Sequence, residues 1–433
     1  MKQFFIQTFG CQMNVYDGQR IAAMLESHGW VAAPDIESAD MIILNTCAVR
    51  EKATNKVYSA LGRIRRAKKP DALFGIVGCV ARESGADAFR RIPDLNFVLG
   101  PQSYHKLPQL LENPDAKLLN IDLGGLEKFD ALPRMVRSPA VAYIPIQEGC
   151  DHCCTYCIVP YTRGREISRP FDDIMADTRH AAETGAIEIC FLGQNVNGYK
   201  YTDAAGRTMR LSDLIRETAK IDAVQRIRFT SSYPTEMTDD LIAQFKTEPK
   251  LLPFLNLPIQ SGSPDVLTRM NRPYSLDLYI DIVDKLRAAR PDIQISSDFI
   301  VGFPGETDAD FDMTMDIARR VRYINSYSFK YSPRPHTAAA LMRDQIPEQI
   351  KSVRLARLDG FLNEIQREFN ESCVGKTMTC LMEGGDKTGQ NLVYRTPYMQ
   401  QVIVASDGDA HPLAQIKITA ANKASLRGEF VRN

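Results

Sequence analysis

Ten cysteines are spread unevenly over 433 residues, and their placement is the feature most able to do chemistry. Cys150, Cys153, Cys154 and Cys157 fall close together, whereas Cys11, Cys47 and Cys79 stand alone at long intervals and Cys190, Cys373 and Cys380 are scattered. Cys150, Cys154 and Cys157 have the spacing C-x3-C-x2-C, which differs from the paired C-x2-C of a zinc ribbon and from ferredoxin runs that carry four cysteines. Three thiolates so close in sequence can hold three irons of a cubane [4Fe-4S] cluster and leave the fourth iron open to a ligand. Zinc is the competing structural reading, but no fourth Cys or His lies at finger spacing and the six histidines form no pair at helical metal spacing. Cys153 departs from the pattern, either as a bystander or as a competing ligand through C-x2-C with Cys150.

Elements of two kinds must position these thiols. The first 120 or so residues alternate short apolar runs of strand length, FFIQTF (4 to 9), MIILNT (41 to 46) and LFGIVG (73 to 78), with helical spacing in YDGQRIAAMLESHGW and after NTCAVREKA. This βαβ pattern predicts a Rossmann-like parallel sheet. Cys11, Cys47 and Cys79 each follow one of those strands. In a parallel sheet the three loops emerge at one carboxyl edge, where open α/β sheets bind ligands. The bland alternative is three small buried apolar cysteines. Residues 121 to 140 lose periodicity and contain Gly124, Gly125, Pro133 and Pro139, which predicts a linker.

A longer series follows: AYIPIQ (142 to 147), IEICFLG (187 to 193), RIRFTS (226 to 231), FLNLPIQ (254 to 260), IQISSDFIVG (293 to 302) and SYSFKYS (326 to 332), with amphipathic stretches between them. The expectation is a partial (β/α)6 barrel with its site at the strand carboxyl ends, where EGCDHCCTYCIVPYTRGR follows the first strand. A long amphipathic stretch then runs from Pro347 to about Ser372, with Ile350, Val353, Leu358, Phe361, Leu362, Ile365 and Phe369 on one face. Beyond it, TMTCLMEG, LVYRT, QQVIVAS, AQIKITA and GEFVRN fit a compact β-barrel.

Composition narrows the class. Charged residues at 24% and hydrophobic residues at 44% are ordinary for a globular protein. No apolar run of about 18 residues and no signal-like start appear, so the expectation is a cytoplasmic protein with no membrane partner. Lys+Arg and Asp+Glu both number 53, so an RNA partner has to be argued from local patches. One lies between Arg50 and Lys69, where Arg50, Lys52, Lys56, Arg63, Arg65, Arg66, Lys68 and Lys69 face only Glu51. Such a stretch can hold phosphates or can be a solvated helix face. The terminal region is only slightly basic, with Lys376, Lys387, Arg395, Lys417, Lys423, Arg427 and Arg432 against Glu383, Asp386, Asp407, Asp409 and Glu429. Other motifs fail: the GKT at 375 to 377 has Asn370 where a phosphate loop needs its first Gly, and no G-x-S-x-G is present.

The C-x3-C-x2-C spacing is the signature of radical S-adenosylmethionine (SAM) enzymes, with Tyr156 before the last cysteine in the usual form. Over nearly the whole chain the sequence resembles one such family, the methylthiotransferases. TFGCQMN, LNTCAVREKA and VGCVAR are similar to its three amino-terminal cluster segments. GCDHCCTYCIVPYTRGREISRP resembles its radical SAM loop, and FLGQNVNGY, RIRFTSSYP, LPIQSGS, DFIVGFPGET and YSPRPHTAAA its later barrel motifs. The GQNVN and NTCAVREKA forms are nearest to the tRNA branch, the MiaB type. The resemblance implies an enzyme that places a methylthio group on carbon 2 of N(6)-isopentenyladenosine beside the anticodon. It also implies domains over residues 1–122, 136–370 and 373–433, the last a TRAM barrel that grips RNA. It implies two [4Fe-4S] clusters, on Cys150/Cys154/Cys157 and on Cys11/Cys47/Cys79, with one SAM as radical source and another as methyl donor. Tyr156, Gln194, Asn195, Ser231, Ser232 and Gln260 are the candidate SAM contacts; the last five, at strand ends, read equally as caps. Gly302, Gly305 and Glu306 lie at another strand end, where the glycines can simply serve the turn.

The implied partners are a tRNA anticodon stem-loop and an electron donor of flavodoxin or ferredoxin type, with the chain a monomer. Asn256 stands where the family often has His, and Pro273 and His336 stand where Gly is usual. The alternatives are methylthiolation of threonylcarbamoyl-adenosine or of a ribosomal-protein aspartate and, from another class, a non-catalytic RNA-binding iron–sulfur sensor.

Overall fold

The computed structural model describes residues 1–48, 57, 61–113, 116–386, 389–406, 408 and 411–431. Arg50, Lys52 and Lys56 of the basic stretch lie outside the described residues, as do Lys387 and Arg432.

The strands that precede the isolated cysteines are Gln3–Thr8, Met41–Thr46 and Leu73–Gly78. Three shorter strands join them, Val31–Ala32, Phe97–Leu99 and Leu118–Asn120, in a six-stranded sheet whose every pairing is parallel. Both Met41–Thr46 and Leu73–Gly78 are buried at every position, as central strands covered on two faces must be. Ile43, Val77 and Phe97 pack on one face and Ile42, Leu44, Phe74 and Ile76 on the other. Gln3–Thr8 lies between Val31–Ala32 and Met41–Thr46, so the strand order reverses at its flank. That reversal is a topological switch point, where such sheets open a crevice for ligands. Cys11 and Cys47 follow the two adjacent strands that border it.

The second domain carries the anticipated barrel units. Val141–Pro145, Glu188–Leu192 and Arg226–Phe229 form a parallel three-stranded sheet. Phe254–Asn256 pairs with Gln294–Ser296, and Asp298–Val301 with Tyr327–Lys330, again in parallel. Single bridges at Ile227–Leu251 and Gln260–Phe299 connect these pieces. Helices Phe171–Glu183, Leu211–Ala219, Asp239–Thr247, Leu276–Ala289 and Asp308–Val321 alternate with the strands. One continuous apolar core includes Ile144, Phe191, Phe229, Leu255, Phe299 and Val301. The terminal segment is a closed five-stranded barrel, in the order Thr377–Gly385, Asn391–Arg395, Gln401–Ala405, Ser425–Phe430, Leu413–Ala421.

Four local expectations are corrected. The predicted linker contains a helix, Glu127–Ala131, whose Lys128 and Phe129 are buried because an ion pair to Asp17 and ring contacts with Tyr104 and Tyr16 dock it on the sheet domain. AYIPIQ ends its parallel strand at Pro145; Gln147–Glu148 then pairs antiparallel with Ile167–Ser168. IQISSDFIVG is split at Ser297, where the backbone carbonyl accepts from Tyr327 and the side chain from Ile259 N–H at 2.9 Å. The long helix Glu348–Ser372 buries Leu358, Leu362 and Ile365, but Ile350 and Val353 are exposed because the inner side of its first turns is taken by Lys351 and Arg354, which donate to the Tyr331 and Glu306 carbonyls. Among the described residues no helix is long and apolar enough to cross a membrane.

Candidate active site

Two of the amino-terminal thiols, Cys11 and Cys79, directly follow glycines held in tight backbone, and Cys11 meets Cys47. Gly10 has φ +110°, and a Cβ there would lie 2.2 Å from the Cβ and 2.9 Å from the Sγ of Cys47. Gly78, at φ +92°, would place a Cβ 2.4 Å from the Thr46 carbonyl. Only glycine allows both the left-handed backbone and the close approach. A hydrogen bond with Cys47 holds the Cys11 thiol down, to about 6, against the desolvation of a crowded site, and the Arg163 cation adds to the effect. Cys11 Sγ also lies 3.5 Å from Asn14 Oδ1, which accepts from Arg163 Nη2 at 3.3 Å. Cys79 is buried beside Ala48, Val80 and Ile158, the residue that follows Cys157.

Arg163 thus faces this trio from the barrel domain. It is buried, donates to Asp17 Oδ2 at 3.1 Å and pairs with Glu148 Oε1 at 2.8 Å. Lys128 closes the network, 2.8 Å from Glu148 Oε2 and 3.4 Å from Asp17 Oδ1. Against the cost of burial, Lys128 and Arg163 hold the Glu148 carboxyl below the usual carboxylate range. Two cations and two carboxylates, all nearly inaccessible, join the amino-terminal helix Gln12–Ser27 to the loop that carries the second trio.

That loop is pinned on both sides. Gln147 Oε1 accepts from the backbone N–H groups of Gln194 and Asn195 at 3.0 and 3.1 Å, and Gln194 Oε1 accepts from Gly149 N–H at 2.6 Å. Thr155 N–H donates to the Met270 carbonyl, and Ala339 N–H to the Thr155 carbonyl at 2.9 Å. Burial pushes the Cys150 and Cys157 thiols up to about 12, and the neighbouring cysteines of the trio oppose ionisation further. These thiols would need a neighbouring cation to become thiolates, a role that iron would fill if bound there. Cys153 is exposed, its Sγ near the Asp151 carbonyl, whereas Cys150, Cys154 and Cys157 are half-buried. Among the described residues no three His, Cys, Asp or Glu side chains converge as ligands of one metal ion. A cubane spreads its three thiolates over three irons, so the two sets of soft thiol donors fit clusters better than a zinc ion.

Around the second trio lie groups that sequence reasoning missed. Arg272 is buried with Nη1 3.8 Å from Cys154 Sγ and 3.4 Å from Tyr156 Oη, while Nη2 donates to the Pro258 carbonyl at 2.8 Å. Its guanidinium lies 4.5 Å from the Tyr233 ring centre, and Tyr233 stacks on His152 at 3.7 Å. His152 Nε2 is 3.1 Å from Glu236 Oε1. Only the neighbouring SYP of RIRFTSSYP hinted at this layer.

Of the predicted SAM contacts, Ser231 and Ser232 adjoin Tyr233 in sequence, and Val196 N–H, next to Asn195, donates to the Ser231 carbonyl at 3.0 Å. Asn195 Oδ1 and Ser232 Oγ are buried with no hydrogen-bond partner among the described residues, and so are Tyr233 Oη and Glu236 Oε2. Buried polar atoms left unpaired are costly and call for a partner such as water, an ion or a ligand. Ser231 and Gln260 sit in left-handed backbone, φ 69° and 72°, strain of a kind that collects at functional sites. Gln194 instead spends its carbonyl oxygen on the cysteine loop. Glu306 accepts from Gly302 N–H and from Arg354 Nη1, both at 2.8 Å, a turn-holding arrangement. Cys190 lies in a separate apolar cluster, and Cys373 and Cys380 in the core of the terminal barrel.

Comparison with known proteins agrees with this division. Residues 3–100 match the uncharacterized protein family UPF0004 and residues 144–318 the Radical SAM superfamily. The chain is 48% identical over 432 residues to a tRNA-2-methylthio-N(6)-dimethylallyladenosine synthase of Sphingopyxis alaskensis, covering 99% of this chain and 97% of that one. It is 45% identical over 443 residues to the synthase of the same name from Rickettsia conorii, covering 99% and 100%. Among solved structures, the radical S-adenosylmethionine methyltransferase TsrM of Kitasatospora setae matches with TM-score 0.58 at 13% identity, covering 79% of this chain and 74% of that one. At that identity the likeness speaks for the fold alone.

Proposed function

The chain belongs to the tRNA-2-methylthio-N(6)-dimethylallyladenosine synthase family, and from that premise we propose that it replaces the C2 hydrogen of N(6)-isopentenyladenosine, beside the tRNA anticodon, with a methylthio group. Its radical SAM domain carries with it a [4Fe-4S] cluster and S-adenosylmethionine. In this reading Cys150, Cys154 and Cys157 hold that cluster, Cys11, Cys47 and Cys79 hold a second one, and two SAM molecules are used per turnover. When bound, these groups supply the radical and sulfur chemistry, since no side-chain base can remove the hydrogen of an unactivated ring carbon.

The protein's own part is to position and to balance charge. Gln147 and Gln194 fix the start of the cysteine loop, and Arg272 sets a cation beside Cys154. Asn195, Ser232, Tyr233 and Glu236 offer unpaired polar atoms to SAM. Arg163 offsets the negative charge of the amino-terminal thiolates. The observation that carries the reading is the buried ion network through Arg163, which ties one three-cysteine group to the other. A tRNA anticodon stem-loop, an electron donor of flavodoxin or ferredoxin type, a monomeric state and a cytoplasmic location complete the proposal.

The test is anaerobic reconstitution. The wild type should bind about eight irons per chain, four for each cubane, and cleave SAM under reducing conditions. Cys11→Ala should lose about half the iron and keep SAM cleavage, and Cys154→Ala should abolish cleavage. Iron content unaffected by Cys11→Ala would sink the two-cluster reading.

A further inference from the structure

A groove of about 390 Å³ follows the last barrel strand, lined mainly by apolar surface from Pro333, Pro335, Ala340 and Leu341 together with Arg334 and His336. None of the machinery above uses it. Leu341 is 85% exposed and, with Pro333, Pro335 and Ala340, makes a contiguous apolar lining of the kind that marks an interaction site. His336 holds φ +67°, a left-handed conformation that a non-glycine side chain adopts only at a cost. Its ring lies 5.8 Å from that of Tyr161, which is half exposed.

The groove stands where the two thiol groups approach. Tyr161 is four residues past Cys157, on the helix Val159–Arg163. Glu83, four residues past Cys79, is within electrostatic reach of Arg334 and His336. Ala339, next to the lining residue Ala340, is tied to the cysteine loop by its N–H bond to the Thr155 carbonyl at 2.9 Å. An occupant must therefore suit two aromatic rings, an apolar trough and a nearby guanidinium, and must reach the space between the thiol groups. An unstacked RNA base with an aliphatic substituent meets all four demands: rings stack on its face, the trough takes the chain, and Arg334 suits a phosphodiester.

Resting on the reaction proposed above, we propose that Tyr161 and His336 stack the target adenine and that the Pro333–Pro335–Leu341 trough receives its N(6)-isopentenyl chain, making this groove the determinant of selection for prenylated RNA.

The test is binding by the full chain of two fluorescent anticodon stem-loop RNAs, identical except for the isopentenyl group. The wild type should favour the prenylated RNA about tenfold. Leu341→Ser should erase that preference. His336→Gly, which keeps the left-handed backbone and removes the ring, and Tyr161→Ala should each weaken both RNAs, by about tenfold for a lost base stack. Iron content and thermal midpoint verify folding; His336→Gly and Leu341→Ser decide the matter should Tyr161→Ala unfold. Variants that keep wild-type affinity and preference, while the wild type still methylthiolates prenylated tRNA, overturn this inference and leave the reaction standing. A wild type that neither discriminates nor modifies either RNA overturns both.

Discussion

Gly10 and Cys47 are packed too closely to admit a methyl group. Gly10→Ala puts a Cβ 2.2 Å from the Cys47 Cβ in a backbone at φ +110°, so the loop must shift. The cost is about 1–3 kcal/mol of local strain, and the Cys11 and Cys47 thiols separate. Reconstituted Gly10→Ala should hold about half the wild-type iron and still cleave SAM; full iron content would show that the amino-terminal thiols are not cluster ligands. At this scale the sequence was most legible where chemistry dictates residue type: the spacing of Cys150, Cys154 and Cys157, and the strand-end positions of Cys11, Cys47 and Cys79. It was least legible at Arg272 and Glu236, because no local pattern reveals that a charged side chain is buried beside a thiol 118 positions away. Charged residues are read as surface by default.

The helix Glu127–Ala131 shows the same limit among elements. Glycines and prolines around it predict a linker, and nothing in five residues announces that Lys128 will be buried against Asp17 and Glu148. Strands and amphipathic helices were read well because their periodicity is local. The break of IQISSDFIVG at Ser297 and the exposure of Ile350 and Val353 on the long helix were not, because tertiary contacts decide them. Lys128→Met strands two buried carboxylates beside a single cation, which should cost about 3–5 kcal/mol and lower the denaturation midpoint at pH 7. The pH dependence has a definite sign. Glu148 titrates below its ordinary 4.5, so its stabilisation is present above that pH and is lost as pH falls through the lowered value. The variant should therefore lose less stability than the wild type on acidification below pH 4.5; parallel curves in denaturant titrations across pH would contradict the network.

Over the whole molecule, the terminal barrel is held to the radical domain by specific bonds rather than by a flexible tether. Arg226 donates to the carbonyls of Arg395 and Thr396 at 3.0 and 3.1 Å, and Asn325 to that of Tyr398 at 2.8 Å. In the proposed function the barrel would therefore grip RNA from a fixed distance. Truncation before Gly375 should weaken anticodon stem-loop binding at least about tenfold and flatten its salt dependence, with SAM cleavage retained; unchanged RNA affinity in a filter-binding assay would remove the barrel from the account. The central claim concerns the product, and nucleoside mass spectrometry of tRNA from cells whose only methylthiotransferase is this chain tests it most directly. The expected result is conversion of N(6)-isopentenyladenosine to its 2-methylthio derivative, abolished by Cys154→Ala. Isopentenyladenosine left unconverted while the protein is loaded with iron and cleaves SAM would contradict it.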